Sequence, residues 1–376
     1  MSDVTFINTI EGLQQLRYEL AEENLIAIDT EFHSENRYFP ELMLLQIANR
    51  KGKVWIVDPK AVSVRPLGAA MRNLTIVTHG GQMDVGILDR ELELKPHRLF
   101  DTQIAAGFLG YRYPMGLDQL LQKTLNRSMS KGETLTDWSV RPLSTEQLEY
   151  AAEDSRALIP LYEHLLTQIQ NASPKKELWC WQACEEMVKS QLEIKNIGLS
   201  WLHWGLAETL DLASQRVLTN LLEWRESTAE KKDQSPNYLL PRGILLYLAK
   251  TKPTDVSKIT NRKVHPIFLK KYGKKVIQVI KQGLQDSDTF EIPTSEQREL
   301  EDILSTWIAL YAKEIEIAPQ LLVNKDILYS IILQGTEFLQ GWRKEILQQR
   351  LQNFLDGCEG VGICNGAPIL LPLHKL

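Results

Sequence analysis

The sequence predicts a mixed α/β domain followed by mainly helical domains. The chain has 376 residues, a length that is typical of two or three domains. Short β-rich runs alternate with helical stretches in the first third of the chain. From Thr102 onward the apolar residues recur with helical periodicity, and no further set of alternating strands is predicted.

Four segments of the first third are rich in β-branched or large apolar residues and predict strands: Leu25–Phe32, Met43–Ala48, Val54–Val57 and Thr75–Thr78. A helix is predicted before them, at Glu11–Glu22. The connections between the first three strands are too short for parallel crossovers, so these strands are expected to be antiparallel neighbours. The fourth strand is expected to join the sheet in parallel.

Two polar segments that contain proline, at residues 171–176 and 286–295, predict domain boundaries. We therefore expect an α/β domain over residues 1–170, a helical linker over 171–205, and helical domains over 206–286 and 295–376. Trp224-Arg225 and Trp342-Arg343 both stand in a helical context. This similarity predicts that the two helical domains are diverged copies of one module.

The charge is distributed unevenly along a chain with a net charge of −5. Residues 1–170 carry 17 Lys and Arg against 23 Asp and Glu, residues 171–293 carry 19 against 14, and residues 294–376 carry 7 against 11. The acidic total argues against a protein that coats nucleic acid indiscriminately. There is no apolar run of membrane-spanning length and no leader-like N-terminus, so we expect a cytoplasmic protein without membrane contact.

Asp29 and Glu31 stand at the end of an apolar strand and are separated by one residue. On a strand, such residues face the same side, while Thr30 is expected to point away. Two carboxylates held this close repel each other unless a cation lies between them, and hard oxygen ligands suit Mg²⁺ or Mn²⁺. Considered alone, the pair is more often two solvated acids at a strand end.

Asp84, Tyr150 and Asp154 add to this set. Asp84 follows two glycines where a helix is predicted to begin, and Tyr150 and Asp154 lie four residues apart on one helix face. Each has an ordinary alternative role, as a first-turn carboxylate or a surface pair. Together with Asp29 and Glu31 they supply oxygen ligands for two cations, with a hydroxyl beside them. Such a site hydrolyses phosphodiesters through a metal-activated water, which Tyr150 is positioned to orient.

These residues resemble the motifs of the ribonuclease D family, in the Tyr-containing subgroup of the DEDD exonuclease superfamily. The resemblance covers Asp29 to Phe32 with its continuation to Ala48, the stretch from His79 to Leu88, and the third motif from Tyr150. It also includes Phe100 to Ala106 and Trp138 to Leu143. Several motifs in this order over about 130 residues are a specific signal.

The resemblance implies an α/β ribonuclease H-like exonuclease domain followed by two all-α helical HRDC-like domains. It implies that Asp29, Glu31 and Asp154 coordinate two divalent ions, Mg²⁺ or Mn²⁺, with Asp84 completing the site directly or through water. Leu222–Glu226 followed by residues 241–249 resembles an HRDC domain, and Gly341-Trp342-Arg343 resembles part of a second copy.

By the same resemblance, the substrates are RNAs with 3′ extensions, such as precursors of tRNA and other small stable RNAs, and the products are nucleoside 5′-monophosphates. We expect a monomer.

The stretch Arg242–Lys281 contains eleven cations and only one acidic residue, Asp255. It is predicted to bind the RNA, although a solvated helical surface is the ordinary alternative. The expected RNA contacts are Phe32, His79, Arg242, Lys270, Lys271, Lys274 and Lys275.

Two other functions compete with this hypothesis. A 3′-to-5′ DNA exonuclease would use the same four carboxylates. A nucleic-acid-binding adaptor with an inactive nuclease fold is the alternative from another class. The presence of all four carboxylates and Tyr150 argues against the adaptor.

Overall fold

The computed structural model describes residues 3–129, 136–192, 201, 210–260, 264–290 and 295–373. These residues form two compact units. The first, which we call the sheet unit, comprises Met1–His33, Glu41–Glu193 and Leu300–Leu376. The second, the helical unit, comprises Ser34–Pro40 and Ile194–Glu299. Of the eleven cations in the stretch Arg242–Lys281, Arg262 and Lys263 lie outside the described residues.

The strands, in chain order, are β1 (Val4–Ile7), β2 (Leu25–His33), β3 (Glu41–Asn49), β4 (Val54–Val57), β5 (Thr75–Thr78), β6 (Arg98–Asp101), β7 (Glu359–Cys364) and β8 (Ala367–Pro372). The helices before residue 200 are α1 (Ile10–Leu20), α2 (Leu67–Met71), α3 (Gln82–Leu92), α4 (Thr102–Phe108), α5 (Leu117–Leu125), α6 (Thr145–Ala172) and α7 (Pro174–Leu192). The later helices are α8 (Leu212–Lys231), α9 (Pro236–Leu239), α10 (Arg242–Thr251), α11 (Pro266–Gln285), α12 (Ser295–Glu314), α13 (Pro319–Leu322), α14 (Lys325–Gln334) and α15 (Gly341–Leu355).

A six-stranded sheet in the order β1-β4-β3-β2-β5-β6 organises the sheet unit. Strand β3 is antiparallel to β2 and β4, and β5 is parallel to β2, so the predicted pairing of the four strands is confirmed. The helix predicted at Glu11–Glu22 is observed as α1. The sequence analysis missed β1 and β6. Both have only four residues, and they join the sheet through parallel pairing with distant strands, which leaves little local signal.

The sheet is covered on both faces, and side-chain alternation along β2 assigns its residues to one face or the other. Leu25 and Ala27 pack into a core that also contains residues of α6, whereas Ile26 and Ile28 pack into a second core that contains residues of α3. Because the alternation has a period of two, the odd-numbered residues that follow point toward α6 and the even-numbered ones toward α3.

The C-terminal helices α12 to α15 belong to the sheet unit and share its core. The ring of Trp342 is fully buried and lies 5.0 Å from the ring of Phe108, measured between centroids. The unit ends in the β7–β8 hairpin, which corrects the expectation that this region is entirely helical. Asn365-Gly366 forms its turn, with both residues at positive φ. An Asn-Gly pair is a strong hairpin signal, and it was overlooked in the helical context.

The helical unit and the C-terminal region show the same succession of helices. Helices α8 to α11 have 20, 4, 10 and 20 residues, and α12 to α15 have 20, 4, 10 and 15. This supports the predicted duplication, but the tryptophans that were paired do not correspond. Trp224 is the thirteenth residue of α8, and the thirteenth residue of α12 is Trp307. Trp342 lies in α15, at the other end of the module, so that pairing was wrong.

The proposed domain boundaries at residues 170, 205 and 286 stay predictions. Among the described residues, none of the helices is both long enough and apolar enough to cross a bilayer.

Candidate active site

Strand β2 carries two of the predicted acidic residues into the interior of the sheet unit. Asp29 is paired with Gln46 and Glu31 with Leu44 on β3, so both lie on a central strand with a neighbour on either side. Both side chains point to the α6 face. The pairing register shifts between Glu31 and Phe32, so the regular alternation ends directly after the second carboxylate.

Helix α6 brings the third carboxylate to the same place. Its start is fixed by a capping box, in which the Gln147 amide donates to the Ser144 hydroxyl at 3.2 Å and the Ser144 amide donates to the Gln147 side chain at 2.9 Å. Asp154 lies two and a half turns further on. Oxygen atoms of Asp29, Glu31 and Asp154 all lie within 4.8 Å of one another. The structure therefore brings these three predicted residues together, and their role as metal ligands stays a prediction.

Asp84 lies on the opposite face of β2, on the first turn of α3. It is 8% exposed, and its carboxylate accepts a hydrogen bond from the Thr30 hydroxyl. Thr30 points away from Asp29 and Glu31, as expected, and it points directly at Asp84. The four carboxylates therefore form a cluster of three with Asp84 behind the strand. Asp84 still acts through space, because it is one of the charges that raise the pKa of Asp29.

Burial and the repulsion of nearby negative charges raise the pKa values of the four predicted carboxyl groups. For Asp29, burial is the larger cause, and the charges of Asp84, Asp154 and Glu31 add to it. Burial, followed by the charges of Asp154 and Asp84, raises the pKa of Glu31 to about 8. Burial raises the pKa values of Asp84 and Asp154 to about 6. Such a cluster takes up protons near neutral pH unless a cation replaces them.

Tyr150 contacts Asp154 from the preceding turn of α6. Its hydroxyl donates a hydrogen bond to the Asp154 carboxylate, and this bond counteracts part of the rise in the pKa of Asp154 that burial causes. The Tyr150 ring lies 6.2 Å from the ring of Trp138, measured between centroids. Tyr150 and Asp154, which were predicted to share one helix face, are therefore in direct contact. The Tyr150 hydroxyl lies beside one carboxylate of the cluster.

A partly buried ion pair between Arg141 and Asp58 holds the segment that carries Trp138. The Arg141 guanidinium donates to both carboxylate oxygens of Asp58, at 2.6 and 2.8 Å, and also to the carbonyls of Met43 and Trp138. Burial by itself raises the pKa of Asp58, but the hydrogen bonds and charges of Arg141 and Lys60 together outweigh burial and leave that pKa below its usual value. Arg141 thus anchors the segment before α6 to the sheet. Arg141 belongs to the motif Trp138 to Leu143, but its role has no signal in the sequence.

The turn that begins α3 is held by Asp101, which the sequence analysis also left without a role. The Asp101 carboxylate accepts from the Gly81 amide at 2.8 Å and from the Thr78 hydroxyl at 3.2 Å. Gly80 has a φ of +63°, and a Cβ on Gly81 would lie 2.5 Å from the Thr78 hydroxyl oxygen. Both glycines are therefore needed to place Asp84 behind β2. A buried aspartate with several internal donors has no signal in a single sequence.

The residues predicted to contact RNA are scattered. Phe32 follows Glu31 on β2 and packs partly into the core on the α3 face. His79 lies beside the Gly80-Gly81 turn, where its Nε2 donates to the Met115 carbonyl and its Nδ1 lies 2.9 Å from the Thr102 hydroxyl. Burial lowers the pKa of His79. Its ring nitrogens thus have internal partners, and a role in RNA contact stays a prediction.

The predicted cationic contacts lie in the helical unit. Lys270, Lys271, Lys274 and Lys275 are exposed on α11, and Arg242 is exposed at the start of α10. These residues are assigned to a different compact unit from the carboxylates.

The carboxylate cluster is suited to divalent metal ions. Carboxylate oxygens are hard ligands, and three of them within 4.8 Å of one another, in a partly buried setting, need positive charge to remain ionised together. The geometry therefore makes this cluster a candidate site for divalent metal ions.

Two family models match the chain. One described as 3′-5′ exonuclease matches residues 4–170, and one described as HRDC domain matches residues 214–280. The fold and site thus define a 3′-5′ exonuclease domain joined to an HRDC domain.

Curated relatives match nearly the whole chain. Ribonuclease D of Desulfotalea psychrophila is 27% identical over 94% of this chain and 98% of its own length. Ribonuclease D of Zymomonas mobilis is 29% identical over 96% of this chain and 97% of its own. The chain is thus similar to ribonucleases D over nearly its whole length.

Solved structures agree on the fold. The crystal structure of Escherichia coli RNase D, described as an exoribonuclease involved in structured RNA processing, superposes with a TM-score of 0.82 at 23% identity. That match covers 94% of this chain and 99% of the other. The catalytic core of RRP6 from Trypanosoma brucei matches with a TM-score of 0.56 at 25% identity, over 76% of this chain and 80% of the other.

Proposed function

We propose that this protein is a metal-dependent 3′-to-5′ exoribonuclease that releases nucleoside 5′-monophosphates. The observation that carries the proposal is the convergence of Asp29, Glu31 and Asp154 within 4.8 Å. It occurs inside a domain that matches the 3′-5′ exonuclease family. The full-length similarity to ribonucleases D favours RNA as the polymer.

Asp29, Glu31 and Asp154 would hold two divalent ions, Mg²⁺ or Mn²⁺. Bound ions of this kind supply an activated water and stabilise the charge on the leaving 3′ oxygen. Asp84 contributes from behind β2, where it receives the Thr30 hydrogen bond and adds negative charge to the cluster. The Tyr150 hydroxyl, which donates to the Asp154 carboxylate, would orient the attacking water.

The substrates we propose are RNAs with a 3′ extension, among them precursors of tRNA and other small stable RNAs. The enzyme would act as a monomer in the cytoplasm. An acidic catalytic domain needs cationic surface elsewhere to attract a polyanion, and the exposed lysines of α11 provide it.

The polymer is tested with single strands of matched sequence, one RNA and one DNA, each labelled at the 5′ end. We expect shortening from the 3′ end in single-nucleotide steps, and faster loss of the RNA. The released product is identified chromatographically against nucleoside 5′- and 3′-monophosphate standards. Equal or faster degradation of the DNA would assign the enzyme to DNA instead, and failure of wild type to release monophosphates with Mg²⁺ or Mn²⁺ would favour the inactive adaptor.

A further inference from the structure

An open cavity of about 450 Å³ lies in the helical unit, between α9 and the beginning of α11. Its lining is mainly apolar and aromatic and includes Tyr238 on α9 with Phe268 and Tyr272 on α11. Lys271 adds an ammonium group to the same lining. Apolar walls with a few polar groups in a cavity of this size are typical of a site for a small ligand group.

One wall of the cavity is an aromatic cluster whose rings already pack against one another without a ligand. The rings of Phe268 and Tyr272, one turn apart on α11, lie 5.2 Å from each other between centroids. Trp224 on α8 supports both, at 6.4 Å from Phe268 and 5.9 Å from Tyr272. Tyr238 is 67% exposed. The cavity thus offers a fixed aromatic wall and an exposed ring, an arrangement suited to a flat aromatic ligand.

In the C-terminal copy of the module, the corresponding face packs against helix α4. Counted from the start of each helix, the counterpart of Tyr238 is Leu321 and the counterpart of Ile267 is Trp342. Both counterparts are buried: Leu321 lies against Gly107, and Trp342 lies 5.0 Å from Phe108 between ring centroids. Ile267, by contrast, is 69% exposed. The face that helix α4 covers in one copy is open in the other.

Charge distinguishes the open face from the covered one. Lys271 lines the cavity, and Lys270, Lys274 and Lys275 are exposed on the same helix. No acidic side chain in the described part of the chain forms an ion pair with any of the four. The corresponding positions of α15 are Glu345, Ile346, Gln349 and Arg350. All four positions are cationic in the open copy, whereas only one of the four is cationic in the covered copy. This difference favours a polyanion over an apolar protein segment as the occupant of the cavity.

We propose that the cavity between α9 and α11 binds an unpaired base of the RNA substrate. The base stacks on Tyr238 and the Phe268–Tyr272 wall, and the adjoining phosphates lie along Lys271 and its neighbours on α11. Every base has an aromatic face, so such a site accepts single strands of any sequence. The proposal rests on the proposed function, because it assumes that RNA is the natural ligand.

The test measures binding of the full chain to a single-stranded RNA of about twelve nucleotides that carries 2-aminopurine, with EDTA present to prevent cleavage. We expect Tyr238→Ala to weaken binding by about tenfold and to reduce the quenching of 2-aminopurine that stacking causes. The slope of log affinity against log salt should stay unchanged, because no phosphate contact is lost. Tyr238→Trp should retain both affinity and quenching. Tyr18→Ala, which removes a 75% exposed tyrosine from α1, is the matched control and should bind as wild type.

Wild-type affinity and quenching in Tyr238→Ala would overturn the proposal and would leave a protein segment as the occupant. A loss of affinity accompanied by a flatter salt slope would also overturn it, because the face would then act through charge alone. Urea unfolding shows whether Tyr238→Ala remains folded. Release of monophosphates by wild type is assayed separately with metal, so failure of base binding and failure of the exonuclease assignment give different results.

Discussion

Thr30 determines how the four acidic residues are distributed about strand β2. Its side chain is 7% exposed and donates to Asp84, whereas Asp29 and Glu31 on either side of it point to α6. Period-two alternation was enough to predict that Asp29 and Glu31 share a face. It also implied that a partner of Thr30 would lie on the other face, but only the structure identifies Asp84 as that partner.

Glu31 should destabilise the metal-free protein as the pH rises. Its pKa in the folded state, about 8, lies above the ordinary value of 4.5. The folded protein therefore holds a proton that the unfolded chain releases, and stability is lost as the pH rises from about 4.5 through 8. In EDTA at pH 8, Glu31→Gln should raise the free energy of unfolding by about 1 to 3 kcal/mol, with no gain near pH 4.5.

Urea unfolding at the two pH values measures this difference, and Glu22→Gln, at an exposed position, is the control. The repulsion account fails if Glu31→Gln lowers stability at pH 8. Addition of Mn²⁺ should stabilise wild type more than Glu31→Gln, because the variant lacks one anionic ligand.

The Tyr150 hydroxyl should contribute to turnover rather than to RNA binding. Tyr150→Phe keeps the ring against Trp138 but removes the hydroxyl that contacts Asp154. We expect kcat to fall by about tenfold to a hundredfold with little change in the dissociation constant for RNA. Single-turnover cleavage and anisotropy separate the two quantities. Wild-type turnover would mean that Tyr150 only packs on its helix.

Helix α6 positions Tyr150 and Asp154. Its N-terminus is held by contacts within its first turn and by contacts of the segment that precedes it. The capping box fixes its first turn, and the Asp58–Arg141 pair fixes the segment before it. Asp58→Asn should destabilise the protein by about 2 to 4 kcal/mol, because it leaves a partly buried guanidinium without its charge partner. It should also lower kcat, because Arg141 then no longer holds Trp138, whose ring packs against Tyr150.

Glu163→Gln is the control for that variant. It removes the exposed ion pair between Glu163, on the same helix, and Arg50, directly after β3, and we expect a change of no more than about 0.5 kcal/mol. Equal effects of the two substitutions in urea unfolding would contradict a special role for the Asp58–Arg141 pair.

Helix α11 should carry the salt-dependent part of RNA binding. Replacement of Lys270, Lys271, Lys274 and Lys275 by Gln should weaken binding of a structured RNA. Each lysine that contacts a phosphate should also reduce the slope of log affinity against log salt by roughly 0.7. Titrations at several salt concentrations measure the slope, and Lys231→Gln with Lys232→Gln at the end of α8 is the comparison. An unchanged slope would mean that the four lysines are only solvated surface.

The whole molecule joins an acidic catalytic domain to a basic helical module. The charge of residues 1–170 is −6 and that of residues 171–293 is +5, from the counts given above. The sequence also predicted the central strands, their pairing and the three carboxylates that meet. These features depend on local periodicity and on motifs within about 130 residues.

Other features could not be predicted because they depend on distant contacts. The four-residue strands β1 and β6 exist through parallel pairing, and the C-terminal module shares its core with the exonuclease domain through Trp342 and Phe108. The roles of Asp101 and Arg141 likewise follow from partners that are far away in sequence. A pattern of apolar residues shows that a face is buried, but it does not show which surface covers it.

The most direct measurement of the central claim is monophosphate release from RNA across a titration of Mg²⁺ or Mn²⁺. It compares wild type with Asp29→Asn, Glu31→Gln, Asp84→Asn and Asp154→Asn. The amide variants keep the shape of each side chain. Those at Asp29, Glu31 and Asp154 lose a charge that would hold the ions, and the one at Asp84 loses a charge that acts on the cluster from behind β2. We expect release by wild type only with a divalent ion, and near loss of release in each variant at saturating Mn²⁺ while the proteins stay folded. Substantial release by Asp29→Asn or Asp154→Asn, or release by wild type in EDTA, would contradict the metal-site account.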